Sequence, residues 1–331
     1  MLEVVFLGTS ASAPTIQRGL PAQMVLFRDE RFLIDCGEGT QRQILRSGLG
    51  FRRLNRVLVT HGHLDHILGL GGLVSTFARW EAVDALEIYG GRRSLDRVHD
   101  LIFGVVLRGA PPPVSVELVD VEPGILLESS DFEVRAFEVQ HRGSGSVGYR
   151  FSEKPRRPFL PKRAEALGVP AGPIRRDLVH GQTVTLTDGR VIRPDDVLGP
   201  PRPGLSIAFT GDIGRVDNVV SAVEGADILV TEATYLDEDR KLARRFGHIT
   251  AREAAWLAHA AGVRMLVLNH LSQRYRIRAI LDEAEELFEP VVVARDFDRF
   301  AVTREKITLT NRQLEEDTEL LEEDMLNERE L

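Results

Sequence analysis

Three histidines and an aspartate fall within six residues, His61, His63, Asp65 and His66, in the stretch VLVTHGHLDHILGLGGL from Val57 to Leu73. The pattern H-x-H-x-D-H supplies imidazole nitrogens and a carboxylate, the donors that a zinc-type ion takes at about 2.0–2.2 Å. If the segment after VLVT is extended, His61 and His63 point the same way. Asp65 and His66 then turn toward a second ion nearby. An isolated histidine is ordinarily a surface residue, but four such donors directly behind an apolar strand favour metal binding.

Two ions need more donors than one segment holds. His141, Asp212 and His270 each follow an apolar run, in DFEVRAFEVQH, LSIAFTGD and VRMLVLNH, where loops gather over a sheet edge. Taken singly, Asp212 suits a turn and His141 a surface; their joint placement favours ligation, with Asp212 as the candidate bridge between ions. His99, His180 and His259 lie outside any ligand pattern and read as ordinary core or surface residues. The single cysteine, Cys36, cannot form an intramolecular disulfide and reads as a small buried hydrophobe, which leaves histidine and carboxylate as ligands.

The elements that carry these side chains begin with short strands. LEVVFLG is an apolar run stopped by glycine, MVLFRDERFLIDCGEG forms a hairpin around Arg28 to Glu30, and RVLVT is a third strand. ILGLGGLVSTFARW has the three-and-four spacing of a helix. ALEIYG reads as a strand and SLDRVHDLIFGVV as the helix after it. DFEVRAFEVQH shifts its alternation between Ala136 and Phe137, which predicts a bulge near its polar end. ADILVTEATY is a further strand, and HITAREAAWLAHAAG carries a capping box, Thr250 with Glu253, and a C-terminal Gly262. Strands in both halves, separated by helices, predict one α/β sandwich with sheets inside and helices outside. Prolines at 155, 158, 161, 170 and 173 exclude a central strand or a long helix from Ser152 to Pro173. That segment reads as an inserted arm.

At 331 residues with 43% hydrophobic side chains, the chain can bury a sizeable core. No apolar run reaches eighteen residues, and no basic stretch leads into an apolar one at the start. The expectation is a cytoplasmic protein without a membrane partner. The net charge of −8 is unevenly placed. Asn311 to Leu331 carries nine acidic residues against two arginines, a net of −7, and reads as a solvated helix or disordered tail. Arg150 to Arg176 holds eight basic residues against two glutamates, a local +6 suited to phosphates. The domain expectation is a body over 1–305, with the flexible arm at about 152–176, and an acidic tail over 306–331.

The H-x-H-x-D-H segment with His141, Asp212 and His270 resembles the metallo-β-lactamase superfamily, an αβ/βα four-layer sandwich with a dinuclear site at the sheet edge. FLGTSASAPT, DCGEGTQRQ, LGVPAGP and DVLGPPRPG further resemble the ribonuclease Z family, the tRNA 3′-processing endonucleases. The likeness spans nearly Met1 to Phe297. It implies that His61, His63, His141 and Asp212 hold one zinc and Asp65, His66, Asp212 and His270 the other, with Asp65 also the general base. It further implies that His248, held by Glu232, protonates the leaving oxygen. Three positions depart from the family pattern: Thr231 in TEAT, Ile249 in GHIT, and Ile213 after Asp212. The last puts a supporting hydrogen bond in doubt rather than the ligand.

The resemblance also implies the substrate. A basic arm would grip a folded RNA away from the cleavage point, through Arg150, Lys154, Arg156, Arg157, Lys162, Arg163, Arg175 and Arg176 around the Gly172–Pro173 turn. The implied reaction is removal of the 3′ trailer of precursor tRNA by hydroxide attack, leaving a 3′-hydroxyl and a 5′-phosphate. In the family the arm serves the other subunit of a homodimer. A small-molecule phosphodiesterase, arylsulfatase or lactonase would keep the ligands and lack the arm. A non-catalytic RNA-binding protein on this fold would have lost Asp65 or a ligand, and all are present. The ligands would also accept manganese or iron.

Overall fold

The computed structural model describes residues 2–80, 83–110, 114–143 and 145–311; the acidic stretch 312–331 lies outside the described residues. In chain order the strands are β1 (Leu2–Gly8), β2 (Ala22–Phe27), β3 (Glu30–Ile34), β4 (Arg56–Leu58), β5 (Ala85–Gly90) and β6 (Ser115–Asp120). There follow β7 (Gly124–Glu128), β8 (Phe132–Val139), β9 (Ser146–Glu153), β10 (Val184–Thr185), β11 (Val191–Ile192) and β12 (Ser206–Phe209). The last are β13 (Ile228–Glu232), β14 (Leu266–Asn269), β15 (Val291–Val293), β16 (Asp298–Val302) and β17 (Ile307–Asn311).

They form two compact units. The larger takes the described residues up to Glu128, then Glu133–Phe151, then those from Leu205 onward. It contains an eight-stranded sheet, β17-β16-β1-β2-β3-β4-β5-β6, and a seven-stranded one, β15-β14-β13-β12-β9-β8-β7. In the first sheet the strands from β17 to β3 pair antiparallel and those from β3 to β6 parallel; in the second β7 and β8 pair antiparallel and β12 to β15 run parallel.

Alternation along the strands shows how the sheets stack. On β1, Val5 and Leu7 join the helical residues Ile44, Leu70, Leu73, Phe77 and Leu95 in one apolar cluster. Phe32 on β3 faces the other way, 5.2 Å from Phe151 on β9, which in turn lies 6.0 Å from Phe209 on β12. Leu229, Leu266 and Leu268 of the second sheet cluster with the helical residues Ala251, Ala254, Leu257, Ile280 and Ala284. Two sheets therefore share an aromatic seam, and each has helices against its outer face, the expected four-layer arrangement. Because both faces of the central strands are covered, these runs read as apolar throughout. Each fully buried Leu or Phe contributes roughly 1.5–3 kcal/mol.

Local expectations are met at the helix Ala251–Ala260, where Thr250 Oγ1 accepts from the Glu253 backbone N–H, Glu253 returns the bond to the Thr250 N–H, and Gly262 takes φ +60°. On β8 burial changes phase between Ala136 and Val139 as the spacing predicts. A pairing irregularity also lies on the neighbouring strand, between Ile125 and Leu127 of β7. The tail boundary expected at 306 is also corrected. Ile307–Asn311 is β17, held antiparallel to β16 with Phe300 opposite Leu309, because ITLT alternates as a strand.

The second unit is Ser129–Phe132 with Ser152–Gly204, so the arm expected over 152–176 extends to 204. The reason is an apolar cluster of its own: Ala164 and Val169 pack with Leu178, Leu186, Ile192, Val197 and Leu198, most of which lie beyond residue 176. Its prolines limit the elements to short ones. Helices Pro161–Ala166 and Pro173–Val179 each begin on proline, where the missing N–H costs nothing. Gly172, at φ +122°, turns the chain into the second.

Candidate metal centre

The C-terminal ends of five strands deliver the candidate ligands to one edge, and all of these strands but β8 have parallel partners. β4 ends at Leu58 and leads into His61, Gly62 and His63; the short helix Leu64–Ile67 then carries Asp65 and His66. β8 leads to His141, β12 to Asp212, β13 to Glu232 at its last residue, and β14 to His270. Ligands outside the carboxyl ends of parallel strands are a general property of open α/β sheets. Gly211 brings Asp212 close to the His61 loop: it takes φ +62°, and a Cβ there would lie 2.7 Å from Thr60 Cβ.

All seven expected ligands converge. His61 Nε2 lies 2.9 Å from His63 Nδ1, which lies 3.3 Å from His141 Nε2, and Asp212 Oδ2 is 3.6 Å from His61 Nε2. Tetrahedral ligands at about 2.0–2.1 Å from one ion stand about 3.3 Å apart, so this spacing fits a shared cation. In the second group, His270 Nε2 is 3.5 Å from Asp65 Oδ2 and 3.4 Å from Asp212 Oδ2. There His66 Nε2 is 3.8 Å from Asp65 Oδ2 and 3.5 Å from Asp212 Oδ1. Asp212 thus faces both groups.

Hydrogen bonds fix the ring tautomers. His66 Nδ1 is 2.8 Å from Asp35 Oδ2 and His141 Nδ1 is 2.7 Å from the Gly247 carbonyl, acceptors that require an N–H on each ring. The Thr60 hydroxyl donates to Asp35 (2.8 Å) and so accepts from His61 Nδ1 (3.1 Å). Thr234 donates to Glu232 (2.5 Å) and accepts from His270 Nδ1 (2.9 Å). His61, His141 and His270 therefore present a bare Nε2 to the same space, and His66 turns its Nε2 there as well. Among the buried side-chain atoms left without a partner are His66 Nε2, Asp212 Oδ1 and His270 Nε2, all aimed into the cluster. An orphaned carboxylate oxygen between orphaned ring nitrogens is costly unless a cation satisfies them together. The donor set fits a divalent metal.

The electrostatics agree. Burial holds His61, His63 and His141 below the ordinary imidazole value, so their lone pairs are free to donate. Burial alone would raise Asp212 and Asp65, but the surrounding histidines hold both below the usual carboxylate range. On His66 burial opposes charge, yet Asp212 and Asp35 raise it well above 6.5, drawing positive charge to where these groups meet. His248 is opposed by burial too, but Glu232, 3.0 Å from its Nδ1, pushes it up to about 9.

Asp35, Thr60, Thr234 and the Gly247 carbonyl were not among the expected functional residues. Asp35 lay within a quoted motif, DCGEGTQRQ, and its φ of +55° is a signal only the backbone reveals. Ser12 (φ +59°) donates its backbone N–H to Asp65 Oδ2 at 3.0 Å, and His270 itself takes φ +53°. Three non-glycine residues in the left-handed region mark the site as locally strained. The three departures are accommodated. The Ile213 backbone N–H donates to Glu232 at 2.8 Å, so no side-chain hydroxyl is needed there. Thr231 shares a hydrogen bond with Thr210, and Ile249 is buried in the core. His99, His180 and His259 are all exposed.

The eight candidate RNA contacts divide by what they already bond. Arg150 is on β9 in the larger unit, where it donates to the Ala222 and Glu224 carbonyls. Arg157 pairs with Asp195 and the Gly199 carbonyl, and Arg175 bonds the Val169 and Pro170 carbonyls while lying over Phe159. Those three guanidinia hold the fold together. Lys154 is half-buried, Arg156 is exposed and 3.9 Å from Glu153, and Lys162, Arg163 and Arg176 are exposed with no ion pair or side-chain hydrogen bond among the described residues.

A cleft of about 660 Å³ opens over Asp65, Asp212 and His248, walled by Arg97, Arg142 and Phe246 among others. No helix among the described residues is long and apolar enough to cross a membrane.

Residues 19–157 match the sequence profile of the metallo-beta-lactamase superfamily. The ribonuclease Z of Bradyrhizobium sp. (strain ORS 278) is 46% identical over 302 residues, 91% of this chain and 100% of the relative. That of Haloferax volcanii is 40% identical over 307 residues, 91% and 95%. The crystal structure of the short form of human tRNase Z superposes with a TM-score of 0.63 at 26% identity, over 91% of this chain and 99% of that one. The chain belongs to the ribonuclease Z family and is a metal-dependent hydrolase.

Proposed function

We propose that this protein removes the 3′ trailer of precursor tRNA as a cytoplasmic homodimer, with two zinc ions per subunit. The observation that carries the reading is the convergence of four histidine Nε2 atoms on the two carboxylates, Asp65 and Asp212, beneath an open cleft. His61, His63, His141 and Asp212 would hold one ion, and Asp65, His66, His270 and the bridging Asp212 the other. A bound pair of divalent ions lowers the pKa of a shared water and offsets charge on a phosphoryl oxygen.

The protein's own groups do the rest. Asp65, kept ionised and anchored by the Ser12 N–H, orients the attacking water and takes its proton. The water oxygen bonds to phosphorus as the bond from phosphorus to the tRNA O3′ breaks. His248, kept protonated by Glu232, delivers a proton to that O3′. The tRNA leaves with a 3′-hydroxyl and the trailer with a 5′-phosphate. Lys162, Arg163 and Arg176 are the arm cations that would meet tRNA phosphates.

The test is purified protein with its metal measured. Close to two zinc ions per chain and cleavage of a precursor tRNA after its discriminator base are expected, and Asp65→Ala should abolish turnover of both tRNA and a chromogenic phosphodiester. Replacing 152–204 by a short linker, rather than 152–176, removes the whole apolar cluster of the arm. It should abolish tRNA cleavage and spare the chromogenic ester. Intact tRNA cleavage after that deletion would refute the arm's role.

A further inference from the structure

A second hollow of about 220 Å³ adjoins the cluster, lined by His61 and His63, by Arg93, Ser94 and Arg97 of the helix Arg92–His99, and by Arg142. Among the described residues no aspartate or glutamate lines it. Arg97 and Arg142 also line the large cleft, so they stand between the two spaces. None of the three guanidinia has a carboxylate partner among the described residues. Arg97 Nη1 donates to the Gly62 carbonyl at 2.6 Å, Arg142 Nη2 donates to the Arg245 carbonyl at 3.1 Å over the Phe246 ring, and Arg93 is exposed with no bond. Their neighbour Arg92, which faces away from the hollow, is 3.6 Å from Asp96.

The approach is built in. A Cβ on Gly62 would lie 3.0 Å from Ser94 Cα and 3.4 Å from Arg97 Cδ, so only glycine lets this helix sit directly against the histidine loop. Unpaired cations gathered around one concavity repel each other unless an anion joins them, and the planar guanidinium fork matches a phosphate.

We infer that Arg93, Arg97 and Arg142 bind a backbone phosphate of the RNA strand beside the scissile one, making this hollow a nucleotide subsite. The inference rests on the RNA-cleaving reading and names contacts separate from the arm. These arginines fix where the strand leaves the cleft; they take no part in moving protons.

The test is steady-state cleavage of a precursor tRNA by the zinc-loaded protein and by Arg93→Met, Arg97→Met and Arg142→Met, across a range of salt. Methionine keeps the apolar stem and removes the charge. Each variant should raise KM about 5–30-fold with kcat within threefold, and the slope of log kcat/KM against log salt should fall by about 0.7–0.9 per charge. Arg97→Lys should recover part of the KM. Because Arg97 touches Gly62, Arg93→Met, which breaks no bond in the fold, guards against a folding artefact. If the unsubstituted protein cleaves tRNA while KM and salt slope are unmoved in Arg93→Met and Arg142→Met, the subsite is overturned; a fall in kcat at constant KM overturns it equally. If the unsubstituted protein does not cleave tRNA, the tRNA reading fails instead. Binding of a single-stranded oligoribonucleotide to Arg93→Met then decides the subsite by the same salt slope.

Discussion

Replacing Asp35 by asparagine isolates what a hydrogen-bond partner does for a metal ligand. Asp35 accepts from the Thr60 N–H, the Thr60 hydroxyl and His66 Nδ1, each at 2.8 Å. Asparagine fits the same space, tolerates the φ of +55°, and keeps the Thr60 N–H bond through its remaining oxygen. Its amide can also donate to the Thr60 hydroxyl, which rotates to accept. His66 has no such escape, because an N–H now meets its Nδ1–H. Either a buried donor goes unsatisfied, at about 1–3 kcal/mol, or the ring shifts its proton to Nε2 and ceases to be a ligand. That energy corresponds to about 5–150-fold, in line with the 10–100-fold typical of such partners. Zinc affinity, read by competition with a chromogenic chelator, should therefore weaken by roughly tenfold or more for one of the two ions. The ion at His61, His63 and His141 should weaken less, since Asp35 reaches His61 only through Thr60. If both affinities stayed within threefold of the original while thermal unfolding was unchanged, the ring-orienting argument would be wrong.

Glu232→Gln removes the charge that holds the His248 proton to about pH 9. A raised histidine is charged below its folded pKa and loses the proton above it, so kcat should have an alkaline limb near pH 9. In the variant the limb should move at least one unit toward neutrality, and an unmoved limb would remove His248 as the acid. A buried acid elsewhere makes a stability prediction of the opposite sign. Burial pushes Asp296 up to about 6 although Thr9, Gly19 and Gln43 all donate to it. The folded chain then binds more protons than the unfolded one between about pH 4 and 6, and stability falls as pH rises through that window. The change is on the order of 2–3 kcal/mol. Urea midpoints at pH 4.5 and 7 should differ less in Asp296→Asn; equal differences would refute it.

The cluster of candidate ligands was legible because each is a hydrophilic residue at the end of an apolar run, and four of them share six residues. Such a pattern survives without knowledge of the tertiary fold, since strand ends in an α/β sheet collect at one edge whatever the order of the strands. The arm was legible as proline-rich and basic but not as a folded unit. Its apolar residues from Leu178 to Leu198 are spread over turns, with no period to connect them to Ala164 and Val169. Counting its charge likewise overstated the free cations, because Arg157 and Arg175 had backbone carbonyls to satisfy that no composition reveals.

What holds the ligands in place was the least legible part, and the reason is physical. The four Nδ1 partners are an aspartate in a left-handed backbone conformation, two threonines and a peptide carbonyl. Residue type marks none of them, since a threonine after a strand is common and every residue has a carbonyl. Their strengths differ in a way that orders the site. His66 is held by a charged acceptor, His61 and His270 by hydroxyls that are themselves tied to carboxylates, and His141 by a neutral carbonyl at the C-terminal turn of the helix Arg240–Phe246. Charge-assisted bonds are about twice as strong as neutral ones, so His66 is the most firmly oriented of the four. His141 and His61, held by neutral acceptors at 2.7 and 3.1 Å, are oriented less firmly. Of these two only His61 lines the hollow of the proposed subsite, so it is the ring whose orientation bound RNA can most easily perturb, while His66 stays fixed.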